Sequence, residues 1–116
     1  MILVAALCMT MQSDALTWSE LPPLPNALGL GGPLVGTLDD GEMLWVGGGA
    51  NFPDGSPQLG GAKKWHTQSY ILRESEWQTG PSLPQALAYS ATVPWRGGLL
   101  IVGGCDSETA SDAVFY

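Results

Sequence analysis

Cation-forming side chains are scarce in this sequence. Its 116 residues include four basic ones, Lys63, Lys64, Arg73 and Arg96, and a single histidine, His66. Set against eleven acids, they leave a formal net charge of −7. A surface that tracks phosphates needs clustered Lys and Arg, so nucleic acid and an anionic membrane surface are excluded as partners. The acids are scattered and form no interaction tail. Cysteine is equally sparse, with Cys8 and Cys105 only. One histidine and two cysteines cannot assemble a zinc site of ordinary ligand spacing, so no metal is expected. No glycine-rich phosphate loop opens a helix, no Ser or Cys sits in a nucleophile elbow, and no capped segment carries a 3.6-residue apolar stripe. Charged residues make up 13% and hydrophobic residues 45%, a balance that fits one small β-rich globular unit rather than a disordered chain.

No apolar run is long enough to cross a bilayer. The longest begins the chain, Met1 to Met11, MILVAALCMTM, and has the length of a signal-peptide core. Ser13-Asp14-Ala15 comes next with small residues where a signal peptidase reads, so residues 1–15 are expected to be a signal peptide and the rest to be exported, periplasmic or extracellular, with no membrane attachment once processed. No Lys or Arg precedes the run, and a buried N-terminal strand in a cytoplasmic protein is the alternative. A lipid anchor on Cys8 is disfavoured by the bulk of Leu7. Cleavage leaves Cys105 alone and rules out an intrachain disulfide.

The stretch that is present in strength runs from Met43 to Leu72. Met43–Val46 and Ser69–Leu72 are runs of strand formers, and Gly47-Gly48-Gly49 breaks the chain after the first. The loop between them is too long for a tight hairpin and too rich in Gly, Pro, Asn and Asp for a helix. Long loops in compact domains usually carry function.

An internal repeat sets the architecture. Trp18 to Pro25 reads WSELPPLP and Trp77 to Pro84 reads WQTGPSLP, an offset of 59 residues. After each frame comes a strand, a turn and a strand closing on Gly-Gly, Gly32 to Gly48 and Tyr89 to Gly104, at an offset of 56. The turns are Asp39-Asp40-Gly41 and Arg96-Gly97-Gly98, hairpin sequences that tolerate positive φ. This order is that of a four-stranded propeller blade with the kelch-type period of roughly 50 residues. The fold expected is all-β, a kelch-type β-propeller fragment over 16–116: one blade at 26–83 and an incomplete one at 84–116, with Tyr116 in its third strand. Trp18 and Trp77 are expected to pack between blades. A closed ring takes roughly four to eight blades, so missing blades or other copies are expected partners.

The loop Gly48 to Leu72, GGANFPDGSPQLGGAKKWHTQSYIL, resembles that of the N-acetylneuraminate epimerases and the related cyclically permuted mutarotases. The likeness continues through Leu87-Ala88-Tyr89, Pro94-Trp95 and the next Gly-Gly. It implies about one and three-quarter blades of a six-bladed propeller and interconversion of sialic acid anomers without a cofactor. Thr67, Gln68 and Ser90 depart from the family's usual residues. The Glu and Arg implied for proton transfer belong after the Gly-Gly of another blade. Here Cys105-Asp106-Ser107-Glu108 has no arginine following it, so the catalytic residues are unknown. For a small-molecule sugar that is an anion with hydroxyls and an amide, Lys63 can supply the cation, Asn51 an amide, Phe52 and Trp65 apolar walls, and His66 a donor or proton carrier. Tyr89, at the start of an inner strand, faces either the channel or the packing. For each, an ordinary structural role stays open, as does the alternative of a non-catalytic propeller binding carbohydrate or protein.

Overall fold

The computed structural model describes residues 16–116, and the expected signal segment at 1–15 lies outside the described residues. The strands are β1 Leu34–Leu38, β2 Met43–Gly47, β3 Ala50–Asn51, β4 Lys64–Trp65, β5 Ser69–Arg73, β6 Glu76–Thr79, β7 Ala91–Trp95, β8 Gly98–Val102 and β9 Val114–Phe115. They form a four-stranded antiparallel sheet in the order β1-β2-β5-β6, a three-stranded sheet β7-β8-β9, and a small β3-β4 pair inside the long loop. The first sheet is a complete blade and the second is three strands of another. Neighbouring strands pair in sequence order within each, apart from the excursion of the β2–β5 loop.

The two sheets repeat in space with two offsets rather than one. Leu34 pairs with Gly47 and Ala91 with Val102, so the first strands are related by 57 residues and the second strands by 55. The reason lies in the hairpins. The first turns through four residues, Asp39 to Glu42, with Asp39, Asp40 and Gly41 at φ 47°, 52° and 98°. The second turns through two, Arg96 and Gly97, at φ 50° and 76°, the mirror-image turn that matches strand twist. The single offset of 56 expected from sequence averages the two. The spatial counterpart of Gly103-Gly104 is therefore Gly48-Gly49, with φ of 60° and 79° against 66° and 95°.

The core lies between the sheets. Leu34 from β1, Trp45 from β2, Leu83 and Leu87 from the connection, and Leu99 and Ile101 from β8 are buried together, with Leu38, Ile71 and Phe115 packed against them. Burial of each such side chain stabilises by about 1.5–3 kcal/mol. The aromatic that fills the gap is Trp45, 6% exposed, and not the Trp of the repeat frame. Trp18 is 92% exposed, and Trp77 is half-buried on β6 with its indole N–H donated to the Pro22 carbonyl at 2.9 Å. Trp77 belongs to the outermost strand of the first sheet, which is why it stands away from the inter-sheet core, and Trp18 lies outside both sheets.

The sheets are joined at the start of the long loop. Gly48 donates to the Gln68 carbonyl at 2.9 Å and Gly49 to the Leu87 carbonyl at 2.8 Å. A side chain at 48 would run into that same Leu87 carbonyl and come within 2.9 Å of Leu83 Cδ1, so the backbones meet only because Gly48 has none. No helix of the described residues is long and apolar enough to cross a membrane.

Candidate functional site

The long loop is anchored at both ends and folded back on itself. Ala50 and Asn51 pair with Trp65 and Lys64, and Ala50 also bridges Gly31 in the segment that leads into β1. A single turn of 3-10 helix, Pro57–Leu59, ends on Gly60 in the left-handed conformation. The short pairs satisfy backbone groups of the loop that would otherwise be orphaned.

Between the loop, the Leu28–Gly31 segment and Tyr89 lies an open depression of about 750 Å³, within the range of small-molecule sites. Asn51, Phe52, Lys63 and Tyr89 line it, with Leu28, Leu30 and Pro57 as apolar wall. Lys63 is its cation. The ammonium donates to Tyr89 Oη at 2.8 Å and lies 4.8 Å from the ring centroids of both Trp65 and Tyr89. The Trp65 ring, by cation–π attraction, and the Tyr89 hydroxyl, by a charge-assisted hydrogen bond, thus hold the charge in place and leave its other N–H donors for a ligand.

Tyr89 is held in an unusual conformation to do this. Its φ is 61°, a left-handed value that few residues other than glycine adopt, and its N–H donates to the Gly32 carbonyl at 2.9 Å. Its ring lies against Gly32, where any Cβ would collide with it. Tyr89 therefore precedes the inner strand, which begins at Ala91, instead of starting it. The side chain is 56% exposed at the depression and does not pack in the core. Strained backbone of this kind, costing of order 1–3 kcal/mol, concentrates where a side chain has to be aimed.

Asn51 and His66 are engaged with the protein itself. Asn51 is 9% exposed, and its Nδ2 donates to the Gly29 carbonyl at 3.0 Å and to Asn26 Oδ1 at 3.4 Å. Both partners are acceptors, which fixes the amide orientation and leaves Asn51 Oδ1 facing His66 Nε2 at 2.8 Å. An amide oxygen only accepts, so His66 carries its proton on Nε2 and donates it there. The backbone N–H of His66 is tied to the Gly49 carbonyl at 3.0 Å. His66 does not line the depression but a separate hollow of about 280 Å³, with Thr67, Gln68 and Tyr70. Trp65 likewise backs the site through its contact with Lys63, and its indole N–H is buried with no acceptor among the described residues.

Of the six residues expected from sequence, four line one depression, and Trp65 and His66 stand behind it. Sequence reading missed Asn26, whose Oδ1 accepts from the Leu28 N–H at 3.2 Å and helps hold Asn51, and the Leu28–Gly31 wall. The signal was faint: an Asn after Leu-Pro, ahead of a glycine-rich connection. The departures at Thr67 and Gln68 act through backbone, their carbonyls accepting from Leu83 and Gly48, while Ser90 donates its hydroxyl to the Gly103 carbonyl at 2.9 Å. Among the described residues no three His, Cys, Asp or Glu side chains converge as a metal site.

No protein-family model matches the chain. It is 32% identical over 113 residues to N-acetylneuraminate epimerase 1 of Escherichia coli O6:H1, a match covering 88% of this chain and 30% of the relative. It is 33% identical over 119 residues to N-acetylneuraminate epimerase of Yersinia enterocolitica, covering 89% of this chain and 30% of the relative. A solved structure, that of YjhT, superposes with a TM-score of 0.75 at 27% identity over 89% of this chain and 32% of its own. This chain is a partial sequence of the N-acetylneuraminate epimerase family. It spans about 30% of the length of the curated relatives it matches. In this epimerase-family chain the depression is built from one complete blade and the first residues of the next, so its Lys63–Tyr89 contact crosses a blade boundary.

Proposed function

We propose that the chain is part of an N-acetylneuraminate epimerase, an isomerase that interconverts the anomers of this acidic sugar, and that the depression between the long loop and Tyr89 contributes to the sugar site. The observation that carries the reading is the Lys63 ammonium, held by Tyr89 and Trp65 at the rim of a partly apolar depression. A sugar carboxylate is the group such a cation selects. Tyr89 Oη accepts from Lys63, so its own proton is free for a sugar oxygen. Phe52 offers an apolar surface to the ring or the acetamido methyl. Asn51 and His66 act as positioning residues that hold β3 and β4 in place.

The chemistry asks only for protons to move. One group takes the proton of the anomeric hydroxyl as the ring carbon–oxygen bond breaks, and another gives a proton to the ring oxygen. Reclosure on the opposite face of the carbonyl then yields the other anomer. No electrons are transferred, and no redox cofactor is called for. Anomer exchange followed by NMR, with the complete propeller, tests the reading. Acceleration over buffer is expected, and none with folded protein overturns it. Replacing Lys63 with Ala should weaken binding of the acidic sugar by roughly 1–3 kcal/mol in calorimetry, the range for a hydrogen bond to a charged group. Unchanged affinity would return Lys63 to a solvated surface charge.

A non-catalytic propeller that binds carbohydrate or protein is the second reading. It is favoured by the stretch after Gly103-Gly104, where Asp106 Oδ1 is taken up by the N–H groups of Glu108 and Thr109, both at 2.8 Å. Binding of the sugar without anomer exchange would select it. Export and a periplasmic or extracellular location form part of the first reading and rest on residues 1–15. N-terminal sequencing of the secreted protein, expected to begin at Leu16, tests them.

A further inference from the structure

Lys63 lines a second hollow, of about 360 Å³, and is the only residue common to it and the depression beside Tyr89. Its other polar walls come from three stretches: Lys64 on β4, Gln85 on the connection between the sheets, and Asp106 with Ser107 after the second Gly-Gly. All of them belong to the described residues, so the hollow is formed without any further blade. Asp106 is the spatial counterpart of Asn51. Each stands two residues beyond its Gly-Gly pair and follows a bridged residue, Ala50 to Gly31 in one blade and Cys105 to Ala88 in the other. Asn51 uses both ends of its amide on the protein. Asp106 uses one oxygen: Oδ1 accepts from the Glu108 and Thr109 N–H groups, both at 2.8 Å, which fixes the carboxylate while Oδ2 takes no part in the turn. Gln85 similarly spends one N–H of its amide on Ser111 Oγ at 3.2 Å, and that bond leaves its oxygen unused.

We propose that this second hollow is a polyol subsite, in which the acidic sugar held through its carboxylate by Lys63 lays its hydroxylated side chain against Asp106, Gln85 and Ser107. The assignment rests on the acidic-sugar reading of the depression. Charge selects the ligand class. The Asp106 carboxylate repels a simple anion and the two ammonium groups repel a simple cation, whereas a hydroxyl donates to the first and accepts from the second. A chain of neighbouring hydroxyls satisfies both at once. The connectivity of the sugar agrees with a shared cation. Its carboxylate and its polyhydroxyl chain are carried by the two carbons that flank the ring oxygen, so a carboxylate on Lys63 leaves the chain free to enter the adjoining hollow. Occupation of both hollows fixes which way round the ring sits between the two blades.

Calorimetry on the complete propeller tests the proposal with two probes, N-acetylneuraminate and its analogue whose side chain has been cut by periodate and reduced to a single alcohol. The parent protein should bind the shortened sugar about 10-fold more weakly, the loss expected for a hydrogen bond to a charged group. Asp106→Asn keeps an oxygen for the Glu108 and Thr109 N–H groups but removes the charge, and should bring the ratio below about 3-fold by the same reasoning. Gln85→Ala, at an exposed position outside both sheets, should also lower the ratio and decides the matter if the Asn variant does not fold. Equal affinity of the parent for the two sugars overturns the subsite and leaves the acidic-sugar reading standing. So does an undiminished ratio in the folded variants. Failure of the parent to bind either sugar overturns the acidic-sugar reading, and the subsite with it.

Discussion

Leu87 has no exposed surface and lies where the two sheets, the inter-blade connection and the long loop meet. Truncating it removes apolar contacts from both sheets and leaves a cavity the rigid hairpins cannot fill, so Leu87→Ala should destabilise by about 2–5 kcal/mol. A lowered urea midpoint with unchanged slope checks this. Asp106 makes a smaller, pH-dependent contribution. The N–H groups of Thr109 first, and Glu108 second, hold its carboxyl below the usual carboxylate range. A depressed pKa in the folded state means that the stabilisation is present above the ordinary aspartate pKa of about 4 and is lost as pH falls through the folded value. An NMR titration of the Asp106 carboxyl should give a midpoint below the ordinary one. Asp106→Asn keeps the accepting oxygen and should remove that part of the acid sensitivity.

At the scale of the element, the two hairpins solve one problem with different turns. Arg96-Gly97 is a two-residue turn whose second position has nothing within 4 Å of a Cβ, so Gly97→Ala meets only the left-handed backbone penalty of about 1–2 kcal/mol. Gly48→Ala meets the same penalty together with the Leu87 carbonyl and Leu83. Thermal melts should therefore rank Gly48→Ala as the more damaging, and equal losses would show that the loop shifts to accommodate the methyl. The turn chemistry was legible from the Gly-Gly and Asp-Gly pairs because it is local. The β3-β4 pair was not, since two-residue strands carry no periodicity and form only when the loop is closed by Gly49, Gln68 and Leu83.

At the scale of the molecule, the described residues leave apolar faces uncovered. Val35 on β1, Val93 and Trp95 on β7, Val102 on β8 and Val114 on β9 are each 42–60% exposed. Val102 and Val114 are also cross-strand partners, so the β8-β9 end of the second sheet presents an apolar pair to solvent. Faces of this kind associate. The 116-residue chain expressed alone should self-associate in light scattering and show no anomer exchange, and the complete propeller should run as a discrete species. A monomeric chain that unfolds cooperatively and binds the sugar would contradict the expectation.

Repeat frame, hairpin turns and glycine pairs are short-range patterns, and the amino-acid sequence by itself determined from them the all-β class, the two sheets and the long loop that carries the candidate site. Lys63, Phe52 and Tyr89 were legible as site candidates for the same reason, by residue type within a loop whose pattern resembles a known one. Tertiary structure alone decided the rest. Trp45 rather than Trp77 fills the gap between the sheets because cross-sheet packing depends on which face of β2 meets β8, and no spacing along the chain encodes that. His66 is a holding residue and not part of the lining, because its Nε2–H is donated to Asn51, which Gly29 and Asn26 fix from 22 and 25 residues earlier. Tyr89 reaches Lys63 across 26 residues only because its backbone adopts a left-handed φ over Gly32, a conformation set by the approach of two blades.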